Sequence, residues 1–128
     1  MYNFHKPLKD LKVIDFGQYI AGPLVACNLA DQGASVMHID PPEGPRIDNT
    51  MTSILNRYKK VIKLNLKKES ELNYAIELIK HADIIIDNFK PGTMKKLGIN
   101  YSILFELNPK LIFLSLPGYS SSDVEKNN

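Results

Sequence analysis

The chain has one cysteine, Cys27, in 128 residues, so it can form no internal disulfide and hold no cysteine-rich metal site. A reducing, cytoplasmic setting fits that usage. No stretch approaches the roughly 20 apolar residues that a membrane helix needs. The N-terminal segment from Met1 to Asp10 carries His5, Lys6, Pro7 and Lys9 without an apolar run, unlike a signal peptide or a membrane anchor. Charge of one sign is scarce too. Sixteen basic against fourteen acidic side chains leave +2, too little to single out nucleic acid or a membrane surface as a partner. The G-x-G-x-x-G fingerprint of dinucleotide-binding folds is absent, which disfavours an NAD-dependent enzyme.

What is present is the composition of a folded domain. Hydrophobic residues make up 44% and charged ones 23%, near the averages for soluble globular chains, and the length suits one core. Short apolar runs alternate with helical patterns. Val13 to Phe16 reads as a strand, followed by a turn from Gly17 to Gly22 and a helix that starts near Pro23 and ends at Gly33. Ser35 to Ile39 is a second strand; Asp40 to Pro45, with three prolines, is a loop. Thr50 to Asn56 forms a short helix, and Val61 to Leu66 alternates from Ile62 onward as a strand buried on one side.

A helix over about Ser70 to His81 places Leu72, Ala75, Ile76 and Ile79 on one face, with Glu69 and Glu71 at its positive end. Ile84 to Ile86 reads as a strand covered on both faces. A helical turn at Thr93 to Lys96 follows, then a helix capped by Asn100 with Tyr101, Leu104 and Phe105 inward, and a last buried strand at Leu111 to Leu116. Strands alternating with helices predict an α/β fold, a mostly parallel Rossmann-like sheet with flanking helices. The polar tail from Ser120 to Asn128 reads as disordered.

In such a sheet, ligands lie beyond the carboxyl ends of the strands. The loop Gly17 to Pro23 could bring backbone N–H groups to a phosphate, or be a tight strand-to-helix turn. Asp40 ends a strand where a ribose-binding acid would stand; it could equally be a solvated loop carboxylate. His38 suits a half-buried packing role better than that of a base. Asn56-Arg57-Tyr58-Lys59-Lys60 could attract phosphates or form a solvated charge run. Asn88-Phe89 with Lys90, Lys95 and Lys96 groups an aromatic face, an amide and cations at one strand end, a set suited to adenine with phosphates. Cys27, mid-helix among Ala26, Leu29 and Ala30, reads as a core thiol.

Taken in order, these segments resemble one family. Pro7 to Phe16, Ala21-Gly22-Pro23, Leu29 to Ala34, Ile39 to Pro42, Asn56 to Lys60, Ala82 to Gly92 with Leu97-Gly98, Asn108 to Ile112 and Gly118-Tyr119 resemble the N-terminal part of family III CoA-transferases, the CaiB/BaiF family. That family includes formyl-CoA and carnitine CoA-transferases and α-methylacyl-CoA racemase. The resemblance implies a Rossmann-like, CoA-binding domain over residues 1–119 that continues into a smaller domain, and chains interlocked as a dimer.

It also implies that coenzyme A, as substrate and acyl carrier and without a metal, is bordered by Gln18, Tyr19, Ile20, Ala21, Asp40, Pro41, Arg57, Tyr58, Lys59, Asn88, Phe89 and Lys96. Lys96 stands where members often have arginine, and Tyr58 where they often have asparagine. In the transferases an aspartate downstream of the Gly-Tyr or Gly-Phe segment attacks the acyl-CoA, giving an anhydride and then an aspartyl-CoA thioester. Asp123 lacks the aromatic and helical surroundings of that nucleophile, so the role is not carried over to it. The expectation is therefore a CoA-binding fragment of a CoA-transferase or racemase, inactive alone, that self-associates or joins a chain carrying the missing domain. The alternative is a non-catalytic CoA- or nucleotide-binding module.

Overall fold

The computed structural model describes residues 6–118. The expected disordered tail therefore lies outside the described residues. In chain order the elements are β1 (Lys12–Asp15), α1 (Ala21–Asp31), β2 (Ser35–Asp40), α2 (Thr50–Leu55), β3 (Lys60–Lys63), α3 (Glu69–Lys80), β4 (Ile84–Asp87), α4 (Thr93–Lys96), α5 (Tyr101–Leu107) and β5 (Ile112–Ser115). The five strands form one sheet in the order β3-β2-β1-β4-β5, with every neighbouring pair parallel. The α/β reading holds, and the sheet is wholly parallel.

Alternation along the central strands sends side chains to two separate cores. Val13, Val36 and Ile86 pack with Ala26 and Ala30 of α1 on one face. Ile14, Ile39 and Ile85 pack with Ile79 of α3 and Leu104 of α5 on the other. Small alanines let α1 approach the sheet closely, whereas the α3 face is filled by branched side chains. Asn49 caps α2 by accepting from the N–H groups of Met51 and Thr52, and Asn100 caps α5 through Ser102 N–H.

The strand-to-helix turn after β1 depends on glycine at two places. A Cβ on Gly17 would lie 2.8 Å from the Gly22 Cα and 2.8 Å from the Pro23 Cδ, and one on Gly22 would lie 2.9 Å from the Gly17 Cα. The backbone passes over itself there, and no side chain fits between.

Two expectations are corrected at the β5 end. The strand predicted as buried is the sheet's edge, with Ile112 59% exposed; only Leu111, just before it, is enclosed. Phe105 of α5 is 45% exposed, though its ring meets Phe113 edge-on at 4.6 Å between centroids. An apolar run cannot show whether a further strand will pair with it, and among the described residues none pairs with the outer edge of β5.

Candidate functional site

The sheet reverses its winding between β1 and β4, since β2 and β3 lie to one side and β5 to the other. Ligands of open α/β sheets bind at such a switch point. A cleft of 550 Å³ opens there, at the carboxyl ends of the strands. Phe16 and Gln18 follow β1 into it, Asp40 and Pro41 end β2, Leu64 to Lys67 extend β3, and Phe89 follows β4. Thr93 and Leu97 close it from the α4 side, and Glu43 and Arg46 hang over it from the proline loop. Its walls combine apolar side chains, the aromatic Phe16 and Phe89 among them, with two cations, Arg46 and Lys67, at an exposed rim.

Gln18 is the joint of this cleft. Its backbone N–H donates to Asn88 Oδ1 at 2.8 Å and its carbonyl accepts from Asn88 Nδ2 at 2.6 Å, which ties the loop after β1 to the loop after β4. Its side-chain Nε2 donates to Asp40 Oδ1 at 2.9 Å, and its Oε1 accepts from the backbone N–H of Arg46 at 3.0 Å. Gly17 N–H is spent on Asp15 Oδ1 at 2.8 Å. The first N–H groups of this loop are thus used internally, and the tight turn is the alternative the geometry matches.

Beneath the cleft lies a buried ionic chain that the sequence reading missed. His38 Nδ1 stands 2.8 Å from Asp15 Oδ2, and its Nε2 stands 2.8 Å from Asp40 Oδ1. Lys59 Nζ donates to Asp15 Oδ2 at 3.0 Å and to the Pro23 carbonyl at 2.9 Å. His38 is therefore an ionic member of the site and not a half-buried packing residue. Lys59, with no exposed side-chain surface, is no part of a solvated charge run, and Asp40 is no solvated loop carboxylate. Burial, the largest single influence on His38, pushes its pKa down; the hydrogen bonds and charges of Asp15 and Asp40 outweigh it and raise the pKa above its ordinary value.

The structure brings some of the expected site residues together and disperses others. Gln18, Asp40, Pro41 and Phe89 line the cleft, and Asn88 backs it through Gln18. Tyr19, Ile20 and Ala21 are exposed on the way into α1, with Tyr19 in the left-handed region at φ 62°. The basic segment splits three ways: Arg57 pairs with Asp31 of α1, Tyr58 is 80% exposed, and Lys59 turns inward. Lys96 is exposed on α4 and does not line the cleft. Arg46, Leu64, Asn65, Leu66 and Lys67 were missed; that β3 runs toward the same edge of the sheet as β1, β2 and β4 was the available signal for the last four.

Comparison with known proteins gives a consistent picture. The model of CoA-transferase family III matches residues 8–128. The chain is 51% identical to a CoA-transferase/lyase DddD from Marinomonas sp. (strain MWYL1), a match covering 91% of this chain and 14% of that protein. It is 36% identical to an acetyl-CoA:oxalate CoA-transferase from Acetobacter aceti, covering 91% of this chain and 32% of the relative. The crystal structure of Rv3272 from Mycobacterium tuberculosis superposes with a TM-score of 0.80 at 34% identity, covering 90% of this chain and 34% of that one. The chain thus spans about a third or less of the length of these proteins.

Proposed function

The chain belongs to CoA-transferase family III, and from that premise we propose that its cleft receives the adenosine-phosphate end of coenzyme A in an enzyme that moves CoA between carboxylic acids. One observation carries the reading. The strand-end cleft combines the Phe89 face and apolar walls, which suit a purine, with Arg46 and Lys67 at its rim, which suit phosphates. Gln18, Asp40 and Pro41 border the nucleotide, and Asn88 fixes Gln18. Tyr19, Ile20, Ala21 and Lys96 meet the part of CoA that leaves the cleft. Calorimetry tests this: CoA binds more tightly than NAD, and equal affinities would remove the proposal.

The step at the acyl carbon is assigned to the length by which the relatives exceed this chain. Asp15, Asp40 and Asp87, at the strand ends, are buried and already hydrogen-bonded, so none of them is free to attack an acyl-CoA. The chain by itself is expected to form no hydroxylamine-sensitive acyl adduct; detection of one would contradict this. The exposed β5 edge, with Ile112 outward, fits coverage by that remaining length or by a second chain. A monomer at tens of micromolar in light scattering, with no gain in stability from a co-expressed downstream fragment, would argue against it. The 51% identity to the Marinomonas protein favours a second reading, in which an elimination follows CoA transfer. Mass spectrometry of acyl-CoA products of the full-length protein separates the two, since elimination leaves an unsaturated product and transfer alone does not.

A further inference from the structure

The buried chain beneath the cleft is arranged in a way that only one protonation state satisfies. A neutral imidazole has a single N–H, yet both ring nitrogens of His38 face carboxylate oxygens at 2.8 Å. With both aspartates ionised, the set Asp15, Asp40, Lys59 and His38 balances to zero only when His38 is the imidazolium; with a neutral ring one negative charge is left buried and uncompensated. The groups facing His38 come from several elements. Asp15 comes from β1, Asp40 from its own strand β2, and Lys59 from the segment before β3. Around the small hollow beside the ring, α1 contributes Pro23 and α2 contributes Thr52 and Leu55, none of them charged, while Tyr19 adds a phenol.

The chain then runs outward. Asp40 Oδ1 accepts from both His38 Nε2 and Gln18 Nε2, and Gln18 Oε1 accepts from the Arg46 backbone. We propose that His38 is a positioning residue for the cleft: as an imidazolium it holds Asp40, and through Asp40 the Gln18 side chain and the Arg46 segment, so that protonation at His38 tightens the nucleotide end of the site. This rests on the reading that the cleft takes the nucleotide end of CoA.

Loss of one N–H removes the only cationic partner that Asp40 has among the described residues, whereas Asp15 retains Lys59 and Gly17 as donors. Asp40 then shifts, and Gln18 loses the partner that aims its Oε1 at Arg46. The pKa of His38, raised by its two carboxylates, shifts this change upward from the ordinary histidine value.

The test has two independent arms. In the first, CoA affinity is measured by calorimetry from pH 5.5 to 9 for the wild-type chain, for His38→Lys, which stays cationic, and for His38→Gln, which is neutral throughout. CoA's own phosphate titration is common to all three, so the ratio to His38→Lys isolates the residue. The wild-type chain is expected to weaken about tenfold relative to His38→Lys on raising the pH, roughly the loss of one charge-assisted hydrogen bond, and His38→Gln to bind like the high-pH wild type at every pH. Parallel pH profiles for wild type and His38→Lys would overturn the proposal.

In the second arm, nuclear magnetic resonance follows the unliganded wild-type chain. The Gln18 side-chain amide and the Arg46 backbone amide should shift with the same midpoint as the His38 ring. If they stay still while His38 titrates, or if the ring is a single neutral tautomer at pH 6, the proposal fails. This arm needs neither CoA nor a folded variant. Absence of CoA binding at every pH would therefore count against the proposed function alone, with the coupling still decided by the spectra.

Discussion

Three parallel strands end in a buried aspartate, and the protein holds these carboxylates in two different ways. Asp15 and Asp40, ending β1 and β2, are 0% and 2% exposed and are gripped by Lys59 and the His38 ring. Asp87, ending β4, is 3% exposed and is held by the Tyr101 hydroxyl, the Ser115 hydroxyl and the Phe89 N–H. The first arrangement is charge against charge, spread over segments far apart in sequence. The second uses uncharged donors and ties β4 to α5 and β5. A buried carboxylate costs several kcal/mol in either case unless it is fully bonded. The difference lies in what else responds: the β1–β2 end depends on a proton and leads to the cleft, while the β4 end is held by uncharged donors and fastens the outer edge of the sheet.

The most severe way to break this contrast is Lys59→Met. Removing one partner of a buried ionic set leaves the other charge uncompensated, which typically costs about 3–5 kcal/mol. Urea unfolding of the variant should show a loss of that size with an unchanged slope. A loss below about 1 kcal/mol, the scale of a surface pair, would mean that Lys59 is solvated and the β1–β2 end is not held by charge. Tyr101→Phe is the matching change at the other end. Asp87 keeps two donors, so the expected cost is about 1–3 kcal/mol, and it should be the same at pH 6 and pH 9. A pH-dependent cost would erase the distinction between the two ends.

The proton itself gives a gentler test. His38 has a folded-state pKa raised above its unfolded value, so its contribution to stability is fully present below about 6.5, the unfolded value, and is lost as pH rises through the folded pKa. The melting temperature of the wild-type chain should therefore fall as the pH is raised from 6 to 9, and that of His38→Lys should fall less. Equal slopes would show that the ring gains nothing from its two carboxylates.

The same contrast explains what could be read from the sequence. The alternation of strands and helices and the cap at Asn100 follow from local patterns; the strand-end rule led to Gln18, Asp40 and Phe89, the family resemblance added Pro41, and the four meet in one cleft. Lys59 could not be told from its neighbours, because its partner Asp15 lies 44 positions away and nothing local fixes which way a lysine turns. His38 was misjudged for a related reason: Asp40 stands two positions along its own strand, but Asp15 comes opposite it only once β1 and β2 pair. The exposed β5 edge was illegible because an all-apolar run looks identical in the centre of a sheet and at its border.

The smallest expected effect sharpens the comparison from outside the core. Arg57 sits two residues before Lys59, and it too is paired with an aspartate. Its Nε and Nη2 lie 3.0 Å and 2.6 Å from the two oxygens of Asp31, and its Nη1 donates to the Ile54 carbonyl at 3.1 Å. Both partners are well exposed, so solvent screens the pair and the long side chain gives up rotamer freedom to make it. Arg57→Ala is therefore expected to leave the urea midpoint unchanged, although its bond geometry is better than that of Lys59. The guanidinium is also turned toward α1 and away from the cleft, so CoA affinity should not change either, whereas Lys67→Ala at the cleft rim should weaken it. Calorimetry on the two variants decides the point. If Arg57→Ala weakens CoA binding as much as Lys67→Ala does, the phosphates lie along the basic segment and the ligand's place at the β1–β4 switch point is wrong.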